Sequence, residues 1–304
     1  MTNTKNIYQL VNEKILDSLN QGIIPWQKPW IGTGNEPFNI VSSKSYSMLN
    51  SIMLQKGGAY ATLKQWNSLG GKVRKGSKSC MICFWKMFRH LDSDSETGEV
   101  TDVVVPMLRY YNVFHIDDVE FNPDKIPNKV RKFLESLNAP IQFDHERIEL
   151  ADAIMNSYID REKITLVEGD SDQAFYQESL EKVSIPKLSQ FQNRAEYYST
   201  KAHELTHSTG SAKRLKRDMS GKFGSKKYAR EELVAEMGAS YFCNLIGAEN
   251  DASFKNNVAY IQSWMQAIKN DERCVIVAAG KAEKAIQFIL DNKSIEKWFI
   301  EKGE

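Results

Sequence analysis

The sequence predicts an α+β protein of two domains, an N-terminal α+β domain and a C-terminal, mostly helical domain with a small sheet. Three observations lead there. The chain has 304 residues, about twice the ~150 residues of a common domain. Its charge is unevenly spread: residues 1–90 hold twelve Lys and Arg against three Asp and Glu, or +9, and the other 28 bases and 36 acids leave −8. The apolar period also changes, from alternating runs between Ser79 and Phe114 to three- and four-residue spacing after Arg194. Hydrophobic residues make up 41% and charged residues 26%, so the chain can bury a sizeable core and is neither disordered nor fibrous.

Taken in order, Ile7, Leu10, Val11, Ile15 and Leu19 predict a helix stopped near Gly22. Pro25-Trp26-Gln27-Lys28-Pro29-Trp30 is too rich in proline for a helix and is expected to be an extended loop. A short helix over Leu63–Leu69 ends at Gly70-Gly71. Ser79–Arg89 and Asp102–Phe114 are expected to pair as strands across the acidic loop Asp92–Gly98. Pro123, Pro127 and Pro140, around one short helical pattern, mark a connection, which sets the domains at 1–125 and 144–304 with a linker at 126–143. Beyond it, Ile148, Ala151, Ile154, Met155 and Tyr158 give a helix starting near Asp144. Short strands follow at Ile164–Val167, Ala174–Tyr176 and Val183–Ile185, and Pro186 suggests a sheet edge for the last. Helices are expected over about 194–208, 226–246, 256–269 and 279–291, with Gly210 and Gly247 as stops.

Several function classes drop out. No apolar run approaches the ~18 residues needed to cross a bilayer, and the first residues lack the apolar stretch of a secretory signal, so a cytoplasmic protein without membrane contact is expected. Four cysteines (Cys80, Cys83, Cys243, Cys274) do not make a disulfide framework. Cys80 and Cys83 fall in a strand-like run, where residues three apart face opposite sides, so no zinc knuckle is expected. Gly70–Gly76 lacks the spacing of a phosphate-binding loop.

The basic N-terminal stretch also holds Trp26, Trp30, Trp66 and Trp85, four of the six tryptophans. Cations for phosphates and flat rings for unpaired bases are what single-stranded nucleic acid requires, although tryptophans also build cores. The candidate DNA-binding residues are Trp26, Trp30, Trp66, Lys72, Arg74, Lys75 and Lys78.

The sharpest motif is His203-Glu204-Leu205-Thr206-His207. Histidines four apart on a helix reach one metal ion, and Glu204 then lies beside a water that it can deprotonate. A catalytic zinc takes three protein ligands, so a later helix must supply another. Glu232 and Glu236 share a face with an apolar stripe of Leu233, Met237 and Tyr241. Glu232 is assigned as the ligand and Glu236 as the acceptor that orients a histidine N–H; the reverse assignment stays open, Glu231 is a third choice, and ordinary surface ion pairing competes with all three. The implied chemistry is metal-assisted hydrolysis, most simply of a peptide bond, with the Val183–Ile185 strand available to pair a substrate backbone. Tyr197 and Tyr198 are candidates for oxyanion contact, with a core position the simpler expectation. The run Lys213, Arg214, Lys216, Arg217 is expected to be a solvated face.

Taken together these residues resemble the ArdC-type antirestriction proteins. The matching stretches include Ile24–Trp30, Tyr46 with Asn50, Thr62–Gln65, Gly70–Gly76 and Phe84-Trp85. They continue with Tyr197-Tyr198 ahead of His203–Gly210, then Tyr228–Glu236 and Tyr260–Trp264. The likeness covers roughly residues 5–290 and is weakest between 90 and 145. It departs at His115, where the family usually has Asn, and at Met48, where it often has Gly. The resemblance implies a single-stranded-DNA-binding domain joined to a zincin-like metallopeptidase domain, with Zn2+ or alternatively Mn2+ at the His/His/Glu site. It further implies cytoplasmic protection of plasmid DNA entering a host that restricts it, with a restriction component as a protein substrate. The alternative is a non-catalytic single-stranded-DNA coat whose metal domain is only structural.

Overall fold

The computed structural model describes residues 6–21, 24–27, 37–54, 56–93, 100–136, 145–171, 173–191, 193–221, 225–248 and 258–302. Helix α1 (Ile7–Asn20) opens with a capping box, in which the Asn6 side chain accepts from Gln9 N–H and the Gln9 side chain accepts from Asn6 N–H. Pro25–Gln27 is a 3-10 turn rather than an extended loop; a proline in the first position supplies the fixed φ such a turn needs. Gly22 and residues 28–30 of the loop lie outside the described residues.

Then come β1 (Phe38–Asn39), β2 (Lys44–Ser45), α2 (Met48–Leu54), β3 (Ala59–Ala61), α3 (Leu63–Ser68), β4 (Gly71–Val73), β5 (Cys80–Ser93), β6 (Val100–His115), β7 (Val119–Phe121) and α4 (Asn128–Ser136). Five of these strands form one sheet in the order β2-β1-β3-β6-β5, and β4 pairs with β7. The expected hairpin is longer than its apolar alternation, running from Cys80↔Val113 out to Ser93↔Val100. Helix α4 lies within the expected linker. Its Val130 is buried with Ile40, Ala59 and Trp66, so the N-terminal core extends past residue 125. Pro127 stands just before the helix, a start signal as much as a break.

The C-terminal part contains α5 (His145–Glu162), β8 (Thr165–Gly169), β9 (Phe175–Gln177), β10 (Lys182–Pro186), α6 (Arg194–Thr209), α7 (Lys226–Ile246), α8 (Val258–Asn270), α9 (Cys274–Ile289) and α10 (Ile295–Lys302). The small sheet has the order β8-β10-β9. The strand over Val183–Ile185 is therefore central, not an edge. Pro186 is the last residue of β10, where its missing N–H interrupts little of the ladder. Helix α9 begins five residues before the expected 279, because the apolar run Val275–Ala279 is buried helix, and α10 was not expected.

The architecture is α+β, with two regions joined by one continuous core. Ile15 of α1, Trp26 and Met53 of α2 pack with Met237 of α7, Trp264 of α8 and Val275 of α9. A second core gathers Ile154 and Tyr158 of α5, Ile185 of β10, Leu205 of α6 and Phe242 of α7. Both cores meet on α7, which is buried along most of its length. Among the described residues no helix is long and apolar enough to cross a membrane.

Candidate metal centre

Helix α6 carries the histidines. Asn193 caps its start by accepting from Glu196 N–H, and the helix ends at Gly210. His203 and His207 stand one turn apart with their Nε2 atoms 3.1 Å from each other. Helix α7, capped by Ser225, lies close against α6. Gly238 permits that approach: a Cβ there would come within 2.8 Å of the Thr206 side chain.

The close packing brings Glu232 to both imidazoles. Its Oε2 is 3.5 Å from His203 Nε2 and its Oε1 is 3.3 Å from His207 Nε2. The outward nitrogens are also held, His203 Nδ1 by Glu236 Oε2 at 3.2 Å and His207 Nδ1 by Glu231 Oε1 at 3.3 Å. Burial alone would push both imidazoles down, but Glu232 with Glu236 on His203, and Glu231 with Glu232 on His207, raise them above the usual histidine range. Burial would raise the Glu232 carboxyl, and the two histidines instead hold it well below the usual carboxylate range.

The donor set suits a divalent ion. His203, His207 and Glu232 each offer one atom within 4.8 Å of the others, and their separations of 3.1, 3.3 and 3.5 Å lie around the ~3.3–3.4 Å edge of a tetrahedron built on metal–ligand bonds of about 2.0–2.1 Å. With both Nδ1 atoms engaged by carboxylates, both Nε2 atoms face the same point, as metal-bound histidines require. The site opens into a pocket of about 330 Å³ lined by Glu204, Tyr228, Lys227, Ala174 and the β9 residues Phe175 and Tyr176.

Family profiles match the two halves separately. Residues 5–114 match the N-terminal domain of anti-restriction factor ArdC, and residues 153–281 match a zincin-like metallopeptidase. The metal-free crystal structure of the antirestriction ArdC protein from plasmid R388 covers 95% of this chain and 98% of its own, with a TM-score of 0.72 and 29% identity. The uncharacterized protein y4eC of Sinorhizobium fredii (strain NBRC 101917 / NGR234) is 30% identical over 92% of this chain and 90% of its own length. The chain belongs to the ArdC-type antirestriction family.

The Mn(II)-bound form of the R388 ArdC protein has a TM-score of 0.71 and 27% identity, over 95% of this chain and 98% of its own, so a divalent metal belongs to this fold. A DNA primase TraC of Escherichia coli is 31% identical over 94% of this chain, which spans only 20% of that protein.

In this ArdC-family chain the basic run after α6 divides: Lys213 and Lys216 are exposed, as expected of a solvated face, and the two arginines are not. Arg214 and Arg217 side chains are 2% and 4% exposed. Both turn back on the end of α6, Arg214 donating to Ser208 O at 3.0 Å and Arg217 to Thr206 O at 2.7 Å, where the last carbonyls of a helix lack partners. Arg217 also grips Glu231 through Nη2–Oε1 at 2.7 Å and Nε–Oε2 at 3.0 Å. Arg217 thus stands behind Glu231 and His207, a role that a run of four bases does not reveal. Tyr197 and Tyr198 donate instead to Glu168 and Asp152, and the tyrosines that line the pocket are Tyr176 and Tyr228.

The expected DNA-binding residues divide. Trp26 is 2% exposed and stacks edge-on against Trp264 at 5.5 Å. Trp66 is 0% exposed and donates to Phe114 O. Both are core, not contacts for a base: each indole buries a large apolar area, and in Trp26 that area outweighs an indole N–H buried without a partner. Trp30 lies outside the described residues. Lys72, Arg74, Lys75 and Lys78 are exposed on β4 and the loop after it, with Arg74 donating to Asp117 O.

Proposed function

We propose that this ArdC-family chain is an antirestriction protein of a mobile element, a metal-dependent peptidase whose N-terminal region binds single-stranded DNA. The observation that carries the catalytic part is the convergence of His203, His207 and Glu232 beside a pocket that also presents Glu204. Closed four-ligand sets serve structure, whereas three protein ligands facing an open pocket serve catalysis. Two imidazoles and a carboxylate suit zinc, with manganese as the alternative; either ion, when bound, supplies Lewis acidity to a carbonyl and acidifies water.

Glu204 takes the proton of the attacking water and returns it to the leaving amine. Strand β9 pairs only with β10 in its sheet, and its residues wall the pocket. Its open edge is suited to pairing an extended peptide backbone. The DNA-binding part is supported by the +9 charge of residues 1–90 and by the exposure of Lys72, Arg74, Lys75 and Lys78.

The test is Glu204→Gln in plasmid transfer into a restricting host, with mass spectrometry of the host restriction subunits. The expected variant retains metal and DNA binding, cleaves nothing and loses protection. Full protection by Glu204→Gln would sink the peptidase reading and leave a coat protein. Fluorescence anisotropy on labelled oligonucleotides tests the rest: single strands bind with steep salt dependence and little sequence preference.

A further inference from the structure

The outer half of the β5–β6 hairpin has two unlike faces. Strand pairing puts Phe84 opposite Arg109 and Lys86 opposite Met107, with Tyr111 two residues from Arg109 on the same face. The other face carries Trp85 opposite Leu108 and Cys83 opposite Tyr110. Near the base both faces are covered, the first by Ile82 and Val113 packing with Tyr46 and Tyr60, the second by Cys83 and Leu108 packing into the large core. From Phe84 outward the cover ends: Phe84 is 44% exposed, Tyr111 48% and Trp85 53%.

We infer that the face carrying Phe84, Tyr111, Lys86, Arg109 and Phe88 is the platform that binds single-stranded DNA; this rests on the proposed DNA binding of the N-terminal region. Its rings stand in a row, Tyr46 tilted against Phe84 at 6.4 Å and Phe84 edge to face with Tyr111 at 6.0 Å. Beyond them Lys86 and Arg109 lie over the Phe88 ring at 5.0 and 5.4 Å. No Asp or Glu stands on this face among residues 80–88 and 107–113. Rings that stack bases beside cations that meet phosphates form the pairing that unpaired strands need. Over the same residues the opposite face offers Trp85, Met87 and Tyr110 without a charge, its first cation by register being Arg89, past Met87. Rings with no cation between them give a polyanion nothing with which to release its counterions. The buried Trp26 and Trp66 leave stacking to these strand residues.

The experiment is anisotropy of a fluorescent oligothymidine on the full-length protein, for wild type, Phe84→Ala/Tyr111→Ala, Lys86→Gln/Arg109→Gln, and the opposite-face control Trp85→Ala/Tyr110→Ala. Unchanged melting temperature and metal content show that each variant is folded. Loss of each stacked ring weakens binding by about fivefold to a hundredfold. Removing the two cations lowers the slope of log affinity against log salt by about 1.4. The control stays within about twofold of wild type, inside the scatter of a surface substitution. If wild type binds and the first two variants bind equally well, or only the control loses affinity, the platform is elsewhere and DNA binding itself stands. If wild type binds no single strand, both ideas fall.

Discussion

Gly238 of α7 lies against Thr206 of α6 so closely that a methyl group on the glycine would come within 2.8 Å of the threonine side chain. Thr206 sits between the two histidines in sequence, and Gly238 two residues beyond Glu236. The contact therefore sets the gap between the two halves of the metal site. Gly238→Ala is expected to push the helices apart and to cost ~1–3 kcal/mol, as overpacking does. Metal affinity should fall with it, and Thr206→Ser/Gly238→Ala should recover part of both. Thermal melting and metal titration read the two effects; unchanged metal affinity in Gly238→Ala would show that the spacing does not matter.

Glu231 holds His207 while Arg217 holds Glu231. Loss of such outer support typically lowers metal affinity by about 10–100-fold. Arg217→Met and Glu231→Gln are each expected to show this, with the double variant little worse than the worse single one because they act in one chain. Fully additive losses in a competition titration would place them in separate roles.

Removal of the ion should destabilise the protein, since ligands that bind only the native state add to its stability. The gain is ~4 kcal/mol at a thousandfold excess over the dissociation constant. A chelator should lower the melting temperature of wild type and leave that of His203→Ala unmoved. Equal responses of the two proteins would mean that metal binds elsewhere.

His115 makes a pH-dependent contribution to stability. Burial pushes its imidazole below the usual value, Asp117 and Asp118 pull it up, and Lys56 pushes it down further. Its Nε2 donates to Gly57 O at 3.0 Å, while its Nδ1 accepts from Asp117 N–H. A histidine with a lowered folded-state pKa binds its proton more readily when unfolded. Stability is therefore full above about 6.5 and is lost as pH falls through that value toward the lower folded one. His115→Asn should flatten the melting temperature between pH 7 and 5; an unchanged slope would assign the dependence to other groups.

Trp66 is a core residue despite its basic surroundings. Trp66→Ala should cost ~3–5 kcal/mol of stability. Single-strand affinity measured well below the new melting temperature should stay near wild type. A large loss of affinity without loss of stability would return Trp66 to the DNA surface.

Much of this site is legible along the chain. His203, Glu204 and His207 fall on one helix at a spacing with few other uses, and Glu232 and Glu236 share a face because four residues make about one turn. Helix periods, the long hairpin and the small sheet follow from patterns of the same short range, and the stretches shared with the ArdC-type proteins add the pairing of two domains. These are properties of neighbours in sequence, where geometry is set by the backbone.

Residues whose roles depend on distant partners were not legible. Trp26 and Trp66 look like Trp85 in composition, yet the first two are buried against Trp264 and beneath Phe114 while the third is half exposed. Arg217 looks like Lys216, its neighbour, but only Arg217 meets the end of α6 and Glu231. The strand over Val183–Ile185 became central because β8 and β9 pair on either side of it. Local sequence specifies which backbone shape and which charge a segment has. Which side of it is dry, and which charge finds a partner, is settled when segments far apart in the chain exclude water from between them.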